Sequence, residues 1–455
     1  MKLKSVHRTS ARRAGNFFTA AFILYFYFVS PQKVSAQNVN IPDANFKAWV
    51  LYNIQHVDPN EITISEAAAY YGLMSIHNLG ISDLTGIEAF TNLSSLDCHG
   101  NQLTTLNLSA NTALTELQCF GNNLTSLDLS SNTALTYLDC NQDHLTSLNI
   151  NSDTSLTYLN CSMNQLPDLN LNSNINLTYL ECSDNPLTHL DVSSNTALEH
   201  LACIRDQLSS LEVTTNTALT WFYCGGNYLT TLDLSHNTAL TNLYCWVNQL
   251  STLDLSSNTA LTVLRCDSNL LTSLDLSSNI ALTGMICNSN HLTGLDVSAD
   301  TNLTLFECGS NPLLTWLNMQ NGHNASINIF WAVSTPDLTC IQVDDSAYSA
   351  AHWTNIDADE YFSTNCLTAL SINEIKTPAN VTIYPNPITD NFVISNNEYK
   401  SVRADVYNMF GEIVQSQNVI SGRTVIDMNS KVKGIYFVKV IDADKNLLDK
   451  KIILQ

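Results

Sequence analysis

The chain has 455 residues, with 41 acidic against 19 basic side chains and a formal net charge of −22. Between residues 37 and 372 only Lys47, Arg205 and Arg265 oppose 32 Asp and Glu. A body this acidic repels phosphate backbones and anionic bilayers, which argues against nucleic acid as a partner and leaves cations, cationic surfaces and neutral sugars.

The chain opens with Lys2, Lys4, Arg8, Arg12 and Arg13, then an apolar run over 17–29, then the small residues Val34, Ser35 and Ala36. This layout predicts an export signal over 1–36, cleaved between Ala36 and Gln37. The run is shorter than the roughly 20 residues that a membrane-spanning helix needs. An uncleaved N-terminal anchor is the alternative. No later segment is apolar over such a length, so the mature chain is expected to be exported without a transmembrane segment.

Residues 37–92 lead into a regular body. From residue 93, cysteines fall at 98, 119, 140, 161, 182, 203, 224, 245, 266, 287 and 308, so every interval is 21. The unit reads L-T-x-L-x-C-x-x-N-x-L-T-x-L-D-L-S-x-N-T-A, and eleven such units span 93–325. Alternation at L-x-C predicts a short strand with Leu and Cys on one side. One such strand cannot bury its apolar side, whereas parallel strands stacked coil upon coil can. The expected fold class is therefore mostly β: a solenoid of short parallel strands. At about 4.8 Å per coil its eleven units extend for roughly 50 Å.

Three columns repeat through the units, and the two that face inward are read as scaffold. Eleven cysteines cannot all pair, stacked neighbours run parallel, and no Cys-x-x-Cys or accompanying His offers a metal site. The column is read as buried apolar filler. A second column holds Asn101, Asn122, Asn164, Asn185, Asn227, Asn248, Asn269, Asn290 and Asn311, with Asp143 and Asp206 substituting. Its amides suit backbone groups that turn inward. The outward Asp column (Asp128, Asp191, Asp233, Asp254, Asp275 and Asp296, with Glu212) is either a solvated face or a cation rail.

The unit resembles the nested 21-residue leucine-rich repeats of exported bacterial proteins. The preceding "ISDLTGIEAFTNLSSLDC" resembles the opening repeat of internalin-type proteins. This resemblance implies a helical N-terminal cap over 41–73, where relatives often carry a calcium loop. Aligning Glu66 with the last ligand of such a loop puts Gln55, Val57 and Pro59 where acids should stand, so the loop is read as degenerate. After the last unit the period breaks, and Cys340 and Cys366 lie off the grid in a C-terminal cap over 326–372. In an exported protein the simplest reading is a disulfide that closes this cap, as the resemblance also implies. Two free thiols are the alternative.

Residues 373–380 have linker composition, and 381–455 show short alternating runs between turns, which predicts a small antiparallel β-sandwich. The stretches "YPNP", "NMFGEIV" and "GIYFVKV", with a terminal "KKIILQ", resemble the C-terminal sorting domain of the type IX secretion system. That resemblance implies contact with the secretion machinery and passage across the outer membrane of a Bacteroidetes-like bacterium. Release or attachment at the cell surface would follow. A plain sandwich binding domain is the alternative.

No G-x-S-x-G, H-E-x-x-H or phosphate loop is present, so no enzyme, catalytic residue, cofactor or metal site is predicted. Function should then lie in the outward positions that vary between units. Aromatics collect there: Tyr137, Tyr158 and Tyr179, then Trp221, Tyr223, Tyr244 and Trp246. Gly225 and Gly226 are read as leaving open space beside Trp221 and Tyr223. These seven rings are the candidate ligand-binding residues of a secreted or surface recognition protein that holds a protein or glycan. The alternative is a structural solenoid facing ice or cations, using Thr columns such as Thr115, Thr136, Thr157 and Thr178.

Overall fold

A computed structural model describes residues 37–366, 381–385, 387–396, 402–408, 412–441 and 447–454. The predicted export signal with Ala36 and the predicted linker lie outside these residues, whereas Gln37 is described and exposed.

The N-terminal cap is built from two capped helices. Asp43 accepts the N–H groups of Asn45 and Phe46 and so starts the helix Ala44–Asn53. Its other oxygen accepts the Ser82 N–H, which ties the helix to the first repeat. The helix Ile64–Ala69 opens with a capping box between Thr63 and Glu66. Glu66, aligned above with a calcium ligand, is therefore committed to helix capping and also accepts the Val57 N–H. Phe46, Val50 and Phe90 are fully buried and close the first end of the solenoid core.

Thirteen parallel strands form the main sheet, running from Gly72–Ser75 to Ile329–Trp331. The sheet thus continues one strand beyond the cysteine-bearing units at each end. From Glu116–Gln118 onward each strand is three residues long, and its middle residue is buried. The strands pair in a 21-residue register, as in Tyr137↔Tyr158 and Leu138↔Leu159. Each coil therefore places a chemically equivalent side chain on its predecessor.

The inward columns behave as hydrogen-bonded or packed files. All eleven cysteines of the column are free and fully buried. Burial drives their thiols upward, Cys245 to about 12, so they stay protonated and inert. Asn122 shows what the Asn column does. Its Oδ1 accepts the Leu103 N–H at 3.0 Å, while Nδ2 donates to the carbonyls of Cys98 and Cys119 at 3.1 and 2.7 Å. A second, deeper Asn column repeats the device. Asn132 Nδ2 donates to the carbonyls of Leu108 and Asn111, and Asn174, Asn195, Asn216, Asn237, Asn258 and Asn279 follow it. Buried polar backbone is thus satisfied on both sides of each coil.

Near the C-terminal end a second sheet appears, with parallel strands Gly294–Asp296, Trp316–Asn318, Cys340–Gln342 and Tyr361–Ser363. Cys340 and Cys366 are joined by a disulfide, as predicted. The tail forms antiparallel sheets of three and four strands around a core that includes Phe392, Val406, Val438 and Ile452. Among the described residues no helix is long and apolar enough to cross a membrane.

Candidate functional site: a ring-lined strand face

The outward side of the main sheet carries a continuous path of aromatic rings. Strand register alone brings Tyr137, Tyr158 and Tyr179 one above another, because each occupies the first position of its strand. Their rings stack face to face at 4.1 and 4.3 Å, tilted by 7° and 11°. His200 continues the file at 4.2 Å from Tyr179. His200 is not among the seven rings selected from the sequence. Its place directly after three tyrosines was the available signal.

The file turns at Trp221, which is 46% exposed, the most open of the seven selected rings. Tyr223 meets His200, Trp221 and Tyr244 edge to face at 5.6, 6.0 and 4.5 Å. Trp246 departs from expectation. Its indole fills the space over Gly225, where any Cβ would collide with it, and the Arg265 guanidinium lies 5.3 Å from its centroid on the ring. The space read as open beside Gly225 is therefore occupied. Gly226, at φ +72°, lies against the backbone and side chain of Arg205.

Acids flank the rings. Burial lifts the carboxyl groups of Asp139 and Glu181 above the usual range, which marks sites where negative charge is poorly solvated. The phenols of Tyr158, Tyr179 and Tyr223 are pushed up to about 12, again chiefly by burial. The carboxyl shifts disfavour further negative charge beside this face.

The Thr and Asp columns are structurally committed. Thr136, Thr157 and Thr178 each donate a hydroxyl to the carbonyl one coil earlier, at 3.0–3.2 Å. Asp128, Asp191, Asp233, Asp254, Asp275 and Asp296 each accept the N–H of the serine two residues on. Those bonds hold Asp128, Asp233, Asp254 and Asp275 below the usual carboxylate range. Both files are turn and ladder chemistry.

Coil period, buried cysteine file, helical cap and sorting tail together define an internalin-like leucine-rich-repeat solenoid with an export tail. Residues 382–455 match the family described as the secretion system C-terminal sorting domain. That domain belongs to type IX secretion, so it addresses the chain to the secretion machinery for export and attachment at the cell surface. Internalin J of Listeria monocytogenes is 42% identical over 73 residues, which are 15% of this chain and 8% of that protein. The chain thus matches only a small part of the length of this curated relative. The solved functional domain of InlJ, described as including a cysteine ladder, aligns with a TM-score of 0.62 at 25% identity. That alignment covers 92% of this chain and 99% of the other. Listeria monocytogenes internalin inlF aligns with a TM-score of 0.53 at 21% identity, over 69% of this chain and 99% of its own, and shows the shared fold alone.

Proposed function

We propose that the chain is a non-catalytic recognition protein of the cell surface. It holds a segment of an extracellular protein on the ring-lined face between Tyr137 and Trp246. The observation that carries this reading is the asymmetry of the solenoid. One outward face bears a continuous path of aromatic rings, while the other repeats Ser, Thr and Asp in bonded files.

Ring geometry favours protein over glycan. A sugar plane needs a free aromatic face, yet Tyr158 and Tyr179 each have rings on both faces. What they offer is a row of ring edges and hydroxyls beside Asp139 and Glu181, which suits a basic peptide segment. Trp221 and Tyr223 form the anchor expected of a hot spot. The ice-facing alternative is weakened, because the Thr hydroxyl protons are used on the protein's own carbonyls.

The test is to probe arrays of extracellular proteins and arrays of glycans with the full chain. Protein capture is expected, with Trp221→Ala and Tyr223→Ala each weakening it by about 2 kcal/mol, roughly thirtyfold. Circular dichroism should not change. Capture that ignores both substitutions would overturn the site, and binding to glycans alone would overturn the ligand class.

A further inference from the structure

We infer that His77, Asp97 and His99 form a binding site for a divalent transition-metal ion at the first end of the strand face. This site is independent of the protein-binding reading above. His77 Nδ1 lies 2.9 Å from Asp97 Oδ2, and His99 Nδ1 lies 2.6 Å from Asp97 Oδ1. One donor atom from each of the three residues thus falls within a 4.8 Å span. Two imidazoles and one carboxylate form a donor set of mixed nitrogen and oxygen.

The surroundings hold these ligands in place. The rings of His77 and His99 stack at 4.6 Å, and His99 stacks on Phe120 at 4.3 Å, so both faces of His99 are covered. Ser75 Oγ stands 2.9 Å from His77 Nδ1. Asn78 Nδ2 reaches His99 Nε2 at 3.1 Å, and the Asn78 amide rests where Gly100 has no Cβ. Gly100, at φ +64°, permits both the turn and this approach. Second-sphere partners of this kind fix imidazole tautomer and orientation at metal sites.

Both imidazoles present Nδ1–H to the Asp97 carboxylate, so a metal that takes Nδ1 moves one proton on each ring to Nε2 and releases none. With Asn78 donating to Nε2, the His99 proton sits on Nδ1 and points at Asp97. When a metal takes Nδ1, that proton moves to Nε2, where Asn78 can turn its amide oxygen to accept it. Donor atoms around a four-coordinate zinc lie roughly 3.3 Å apart, so the contacts of 2.6 and 2.9 Å to Asp97 must widen and the His77 ring must turn out of its stack on His99. His77, on the exposed side, can supply that movement.

The donor set selects the ion class. Calcium and magnesium prefer oxygen cages, whereas imidazole nitrogen suits zinc, cobalt, nickel and copper. Three protein ligands leave an open position on the outward face for water or for a side chain from a bound protein. The acidic body draws cations toward it.

Calorimetric titration of the chelator-stripped full chain with zinc chloride tests the site, with cobalt(II) absorption as a second readout of nitrogen ligation. One zinc per chain is expected. His77→Gln, Asp97→Asn and His99→Gln should each weaken uptake at least tenfold, with circular dichroism retained. His77→Gln is decisive, because this half-exposed ring can be replaced without opening the core. Absence of saturable uptake would overturn the site and leave a hydrogen-bonded His–Asp–His network. Uptake that survives His77→Gln unchanged would place the zinc elsewhere and overturn it equally.

Discussion

Gly225 and Trp246 show how one residue is decided by another a full coil away. The indole occupies the volume a Cβ would need at Gly225, and Arg265 lies over the ring. The pairing recurs: Gly309 lies under Trp331, and Gly294 under Trp316. In each case the glycine stands on one strand edge and the tryptophan on the next coil outward. Gly225→Ala should expel the indole and cost about 1–3 kcal/mol, the usual range for overpacking. Thermal melting reads the loss, and the tryptophan emission should shift toward that of a hydrated indole. Unchanged emission would show that the ring had room to move. The glycines were legible in the sequence but their purpose was not, because the occupant of the space lies 21 or 22 residues away.

The Asn columns set the energetics of each coil, and their exceptions carry a pH signature. At Asp143 one oxygen accepts the Leu124 N–H, as an Asn would, but Oδ2 is buried without a partner. Burial pushes Asp143 and Asp206 up to about 7, and Asp153 and Asp300 in the deeper column likewise. The folded state therefore binds more protons than the unfolded chain between about pH 4 and 7. Their stabilising contribution is complete below about pH 4 and is lost as pH rises through 7. Asp143→Asn restores the missing donor and should stabilise the fold by about 2 kcal/mol at pH 8, after allowance for solvent screening. Urea unfolding should show almost no gain at pH 4, and an equal gain at both pH values would refute this account. The first Asn column was evident from its spacing. The deeper one was not singled out, since the sequence does not distinguish an amide turned inward from one in a solvated turn.

At the scale of the whole chain, stability is a sum of coils and the contacts between neighbours. Removing residues 262–282 deletes one complete unit and should place the strand Asn242–Tyr244 directly on Gly284–Ile286. The shortened chain is expected to fold with one thiol fewer and to melt within several degrees of the parent. Removing only 262–281 shifts the phase, turns inward leucines outward and should abolish the cooperative transition. Calorimetry on the two deletions distinguishes these outcomes. The solenoid was legible because ten identical intervals between eleven cysteines admit little else. His77 was not, because a register shift between Gly72 and Leu73 sets it 22 residues before His99 and off the grid.

The cysteine file has a further consequence for a chain bound for an oxidising exterior. Unfolded, the polypeptide presents thirteen thiols to any oxidant, and those of successive coils are spaced for wrong partnerships. Once the coils close, eleven are concealed at zero exposure, and only Cys340 and Cys366 remain to be joined. Correct pairing then requires that the coils close before the thiols are oxidised, so that the folded shape proofreads its own sulfur chemistry.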